Sequence, residues 1–128
     1  MAPGNLKYTR RNEWCREEPN RVVVFGLTER AAAHLNEVLF IELPNVGDDV
    51  LNDVPCGEIE SSESTMFLYS PADGEVIEVN PRVLDTPELV AKDPFGDGWL
   101  VKIRAGDQSQ LQDLLSATEY AERQKRQR

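Results

Sequence analysis

Between Pro44 and Asn80 the chain is interrupted by turn signals every few residues, and this most restricts what it can become. Asn45-Val46-Gly47-Asp48-Asp49 is one turn, Asn52-Asp53 another, and Pro71-Ala72-Asp73-Gly74 a third. Between them lie short apolar-rich runs, Cys56 to Glu60, Met66 to Tyr69 and Glu75 to Val79. No helix of ordinary length fits such spacing. Short strands at this interval predict a small β-sandwich or barrel. The two runs flanking Ser61 to Thr65 are expected to pair as a hairpin with a polar tip.

Outside this stretch the pattern predicts buried strands over Val22 to Phe25 and Leu39 to Leu43, the second stopped by Pro44. Trp99, Val101 and Ile103 alternate on one face of another strand, where Trp99 is expected to pack in the core. Thr28 to Leu35 reads as a short helix capped by Thr28. Thr86-Pro87 reads as a cap and first position of a helical turn. Asp107-Gln108-Ser109-Gln110 and Ser116-Ala117-Thr118-Glu119 both fit a capping box, predicting two closing helices, with Leu111, Leu114 and Leu115 as an apolar stripe on the first.

The length of 128 residues favours one domain, with a core over about residues 6–120 and a frayed basic tail over 125–128. Fourteen Lys and Arg against 23 Asp and Glu leave a net charge of −9. Such a charge repels phosphates, so nucleic acid is excluded as a partner and a basic protein surface is favoured. The start carries no apolar signal region and no run approaches membrane-spanning length, so a cytoplasmic protein with no membrane partner is expected. Two cysteines, Cys15 and Cys56, are too few for a disulfide framework. Cys56 is expected to pack as a small apolar residue in a strand and Cys15 to be partly exposed. Asp48, Asp49 and Asp53 lack calcium-loop spacing. No nucleophile–base pair or phosphate loop is present, so neither catalytic nor metal-binding residues are assigned.

Several short motifs occur in order along nearly the whole chain. They include Glu13-Trp14, Gly26-Leu27-Thr28, Glu42-Leu43-Pro44, Glu60-Ser61, Tyr69-Ser70-Pro71, Gly74-Glu75-Val76, Asp93-Pro94-Phe95-Gly96 and Gly98-Trp99-Leu100. From about Leu6 to Tyr120 the sequence resembles the glycine cleavage system H protein family. That resemblance implies a mostly β fold, a lipoyl-domain-type sandwich (barrel-sandwich hybrid) with short flanking helices, including C-terminal ones. It implies a non-catalytic carrier whose hairpin lysine holds a lipoyl arm for an aminomethyl group. The partners implied are glycine decarboxylase, aminomethyltransferase, dihydrolipoyl dehydrogenase and lipoate-transfer enzymes, met by a monomeric carrier.

The family writes the hairpin tip as Glu-Ser-Val-Lys-Ala, whereas this chain has Glu60-Ser61-Ser62-Glu63-Ser64. Glu63 therefore stands where the resemblance places the lipoyl lysine, and no lysine lies between Lys7 and Lys92. A carboxylate cannot accept an acyl group as an amine does, so no cofactor is expected. Other candidate positions of the arm cleft are Glu13, His34 and Phe67, the last where the family usually has an acidic residue. The family often has histidine ahead of its Glu-Trp pair, where this chain has Arg11-Asn12. The expected function is an H-like protein that binds glycine cleavage or lipoate-handling enzymes without an arm. The alternative is a true lipoyl carrier that shuttles the aminomethyl group.

Overall fold

A computed structural model describes residues 5–126. In chain order the strands are β1 (Lys7–Tyr8), β2 (Glu13–Glu18), β3 (Val22–Leu27), β4 (Val38–Glu42), β5 (Asp49–Val50), β6 (Pro55–Ser61), β7 (Thr65–Tyr69), β8 (Gly74–Val79) and β9 (Val101–Ala105). Short helices α1 (Glu29–Ala33), α2 (Pro81–Asp85) and α3 (Leu89–Lys92) lie between strands, and α4 (Ala117–Arg126) follows the last one. One sheet has six strands in the order β1-β2-β3-β9-β8-β5, and the other has three, β4-β6-β7. The named pairings within both sheets are antiparallel.

Alternation explains how the sheets face each other. On β3 and β9, Val23, Phe25, Val101 and Ile103 are buried, and on the smaller sheet Ile41, Ile59 and Leu68 are buried. These side chains form one cluster, joined by Val83 and Val90 of the short helices and by Leu111. A second cluster of Leu6, Tyr8, Trp14, Val24 and Leu115 packs with Phe95, Trp99 and Tyr120. Trp14 pairs with Gly26 across β2 and β3, and a Cβ at Gly26 would stand 3.1 Å from the indole nitrogen. Glycine there lets the ring lie flat on the neighbouring strand, and its N–H reaches the Pro94 carbonyl at 2.8 Å. Trp99 itself is only partly buried, beneath Lys102 at 5.2 Å, so the fully buried indole is Trp14.

The capping residues act largely as their chemistry requires. Thr28 accepts from the Ala31 N–H, while Ser116 and Glu119 exchange both capping-box bonds at 2.9 and 3.1 Å. The expected box at Asp107 forms only in part. Asp107 accepts from Ser109 N–H, but Gln110 instead accepts from Asp73 N–H, and Gln108–Asp113 is a 3₁₀ helix. Leu111 and Leu115 then enter different clusters rather than one helical stripe. The turn near Thr86 begins its helix later, with Glu88 as the cap of α3. Lys125 and Arg126 continue α4 rather than a frayed tail, and residues 127 and 128 lie outside the described residues. Cys15 is buried, not partly exposed, because β2 is covered on both faces. Among the described residues no helix is long and apolar enough to cross a membrane.

Candidate functional site: the β6–β7 tip and the Glu13 cleft

The β6–β7 hairpin turns through Ser61 to Thr65 because Ser61 and Ser64 close it. Ser61 N–H donates to the Ser64 carbonyl at 2.8 Å, and the Ser61 hydroxyl bonds to the same residue. The tip is then tied to the connector between α1 and β4. Ser62 N–H donates to the Glu37 carbonyl at 2.8 Å, and the exposed Glu63 carboxylate accepts from the Asn36 amide at 2.7 Å. Glu63 thus lies at the outermost turn of the hairpin, turned toward the connector. No amine occupies this tip.

Glu13 opens β2 on the same face as Cys15 and so points between the sheets. It is 1% exposed. One carboxylate oxygen accepts from the Thr9 hydroxyl at 2.7 Å, and the other accepts from the Tyr69 N–H of β7 at 2.9 Å. The residue therefore joins the six-stranded sheet to the three-stranded one; it is no solvated strand position. Burial raises its pKa to about 7, against the two hydrogen bonds and nearby Arg11, which favour the charged form.

Glu13 lines a cleft of about 500 Å³ together with Arg10, Arg11, Asp53, Tyr69 and Arg123. Arg11 lies across it, with its guanidinium 4.0 Å from the Tyr69 ring centroid and Nε 2.7 Å from Asp53. That bond lowers the Asp53 pKa. Asn12, with φ of 68°, turns the chain into β2. Its side-chain oxygen accepts from the Tyr120 hydroxyl at 2.8 Å and from Gln124, both on α4. Since the Tyr120 proton goes to Asn12, the 2.9 Å contact between Tyr120 and Thr28 has the threonine hydroxyl as donor. The C-terminal helix is thereby latched beside the cleft, and it brings Arg123 to the lining.

Of the four residues singled out in the sequence, only Glu13 lines this cleft. Phe67 lies two positions before Tyr69 on the outward face of β7 and is half exposed. His34 is the exposed C-cap of α1, its backbone N–H on the Ala31 carbonyl. Glu63 stays with Asn36 at the tip. The sequence reading missed Asp53 and Tyr69 as cleft residues and named Arg11 only as part of the segment ahead of the Glu13-Trp14 pair. Asn12 and Asp53 both adopt positive φ, which asparagine and aspartate tolerate, and Asn52-Asp53 reads as a turn, but neither signal says that the two segments meet at a cleft. Neither cysteine is poised as a nucleophile. Burial pushes Cys15 well up and Cys56 to about 12.

Two facing antiparallel sheets, short flanking helices and a projecting hairpin tip define a lipoyl-domain-type sandwich of the carrier class, which is not itself catalytic. The model of the family described as "Glycine cleavage H-protein" matches residues 6–127. The chain is 45% identical to the glycine cleavage system H protein of Streptomyces avermitilis over 120 residues, covering 94% of both chains. It is 41% identical to that of Enterobacter sp. (strain 638), covering 94% of this chain and 93% of the relative. The crystal structure of a glycine cleavage system H protein from Mycobacterium marinum superposes with a TM-score of 0.83 at 35% identity, covering 95% of this chain and 98% of that one. The chain belongs to the glycine cleavage H-protein family.

Proposed function

We propose that this chain is an H-type module that binds the enzymes of glycine cleavage or of lipoate transfer without carrying a lipoyl arm. The observation behind this reading is the carboxylate of Glu63 at the hairpin tip. Lipoylation joins an acyl group to an ε-amine, with loss of the leaving group from the activated acid. A carboxylate offers no N–H to form that amide, and it reverses the charge presented there. The four lysines of the chain stand elsewhere, at positions 7, 92, 102 and 125. Lys7 lies in β1 and pairs with Glu17 at 3.3 Å, and Lys102 lies in β9 and pairs with Glu78 at 3.4 Å. Lys92 ends α3, and Lys125 sits in α4. A lysine inside a strand or helix lacks the projecting turn that an arm needs.

On this reading the fold keeps the surfaces for glycine decarboxylase, aminomethyltransferase, dihydrolipoyl dehydrogenase or a lipoate-transfer enzyme, and the chain works as a monomer by occupying them. The second reading is a lipoyl carrier that shuttles the aminomethyl group. Membership of the family and the names of the relatives favour it, and it requires an arm on one of the four lysines. Intact mass after expression with lipoate and a lipoate ligase separates the two. The expected result is the bare polypeptide for the native chain and a lipoyl addition for Glu63→Lys. A native chain that gains the lipoyl mass establishes the shuttle instead.

A further inference from the structure

The outward face of the three-stranded sheet combines exposed aromatics with glutamates that no cation of its own strands answers. Alternation sends Ile41, Ile59 and Leu68 inward, so Phe40 and Glu42 of β4, Glu58 and Glu60 of β6, and Thr65 and Phe67 of β7 face outward. The registers set these six in two rows across the strands. Phe40 lies opposite Glu60, which lies opposite Thr65; Glu42 lies opposite Glu58, which lies opposite Phe67. The two aromatic rings therefore occupy opposite corners of an acidic patch. Phe40 is 54% exposed and Phe67 50%, and Leu39, beside the irregularity in β4, adds a third exposed apolar side chain.

Nothing in the sheet neutralises those carboxylates. No residue of β4, β6 or β7 is lysine or arginine, and Glu42 and Glu58 face each other as like charges. A like-charged cross-strand pair opposes folding, and half-exposed aromatics gain nothing from water. Both features become favourable when a surface with cations at its centre and apolar side chains to either side covers them. Two aromatics that lose their water, on either side of charges that steer approach, suit a protein docking site.

We infer that this face is the surface on which a folded partner docks, through lysine and arginine side chains that meet Glu58 and Glu60 on the central strand, flanked by apolar side chains that cover Phe40 and Phe67. Anionic membranes and nucleic acids are excluded as occupants, because their phosphates repel this face. A second copy meeting this face with its own equivalent face is excluded for the same reason, since it would set glutamate against glutamate. The inference rests on the chain being a module that binds the enzymes of glycine cleavage, and it does not depend on whether the tip carries an arm.

The test measures binding of the full chain to purified glycine decarboxylase, aminomethyltransferase and dihydrolipoyl dehydrogenase, at low and at high salt. Two double variants are compared with the native chain, Phe40→Ser with Phe67→Ser and Glu58→Lys with Glu60→Lys. The control is Glu75→Lys on the other sheet, and circular dichroism with thermal unfolding verifies the fold of each. Expected is binding to at least one enzyme that weakens with salt, falls by roughly tenfold or more in each double variant, and is unchanged in the control. Enzyme binding that survives both double variants overturns the docking face and leaves the module reading standing. No binding by the native chain to any of the three enzymes overturns the docking face together with the glycine-cleavage arm of the module reading.

Discussion

The two sheets of this protein treat their outward faces in opposite ways. Outside the six-stranded sheet, Trp14, Val24 and Tyr8 are covered by Leu115, Phe95 and Tyr120, and Tyr8 stacks on Tyr120 with ring centroids 4.6 Å apart. The glutamates of its outward face have cations beside them: Glu18 with Arg16, Glu78 with Lys102 and Glu75 with Arg104. Outside the three-stranded sheet the aromatics are half exposed and no strand cation answers the glutamates. The first face is finished by the chain's own C-terminal segment. Among the described residues nothing covers the second. Surface ion pairs contribute little stability each, so the contrast is less about how tightly each sheet is held than about what each face can meet.

The comparison breaks most visibly if the outward aromatics of the two sheets contribute equally to folding. Trp14→Ala removes a fully buried indole and its hydrogen bond to Pro94, and is expected to cost about 3–5 kcal/mol in denaturant unfolding. Phe67→Ala, at a half-exposed position, is expected to cost less than about 1 kcal/mol. Similar losses for both would make the small sheet's face a structural one.

Glu13 belongs to both sheets and gives the next largest effect. The folded state holds its proton up to about pH 7, whereas the unfolded chain releases it near the ordinary value of 4.5. Across that window the folded state binds more protons, so stability falls as pH rises through it and levels off above. The span of 7 − 4.5 = 2.5 pKa units corresponds to a loss on the order of 3 kcal/mol. Unfolding measured from pH 4.5 to 8 is expected to show this slope, and Glu13→Gln to remove it. An unchanged slope in that variant would place the titration elsewhere.

The smallest effect compares glutamates from the two faces. Glu58→Lys replaces a like-charge neighbour of Glu42 with an opposite one and is expected to stabilise by about 0.2–1 kcal/mol. Glu75→Lys sets a cation opposite Arg104, its cross-strand partner, and is expected to destabilise by a similar amount. Opposite signs in thermal unfolding sharpen the contrast between the faces; equal signs remove it.

Much of the fold was legible because its strands carry their own pattern. The β-branched runs of β3 and β9, the turns between β5 and β8, and the Ser116–Glu119 capping box were readable from neighbouring residues alone. The strand β2 was not, because Glu13-Trp14-Cys15-Arg16-Glu17-Glu18 shows no clean alternation: its first three residues are all buried, on a sheet covered from both sides. Helix α2 carried a usable signal, Asn80 as cap followed by Pro81 at the first position, which the reading passed over. The hairpin tip was placed correctly because strand lengths and serine-rich turn chemistry are local.

The sequence by itself determined that a short-stranded sandwich would display Glu63 at a turn, because covalent order and local turn chemistry place that carboxylate and exclude an amine there. It could not determine that Glu13 is buried, that Arg11 lies over Tyr69, or that Phe40 and Phe67 share an open acidic face. Each of these depends on which strand lies opposite which and on what covers each sheet. Such pairings join residues distant in the chain, and only the packed sheets bring them together.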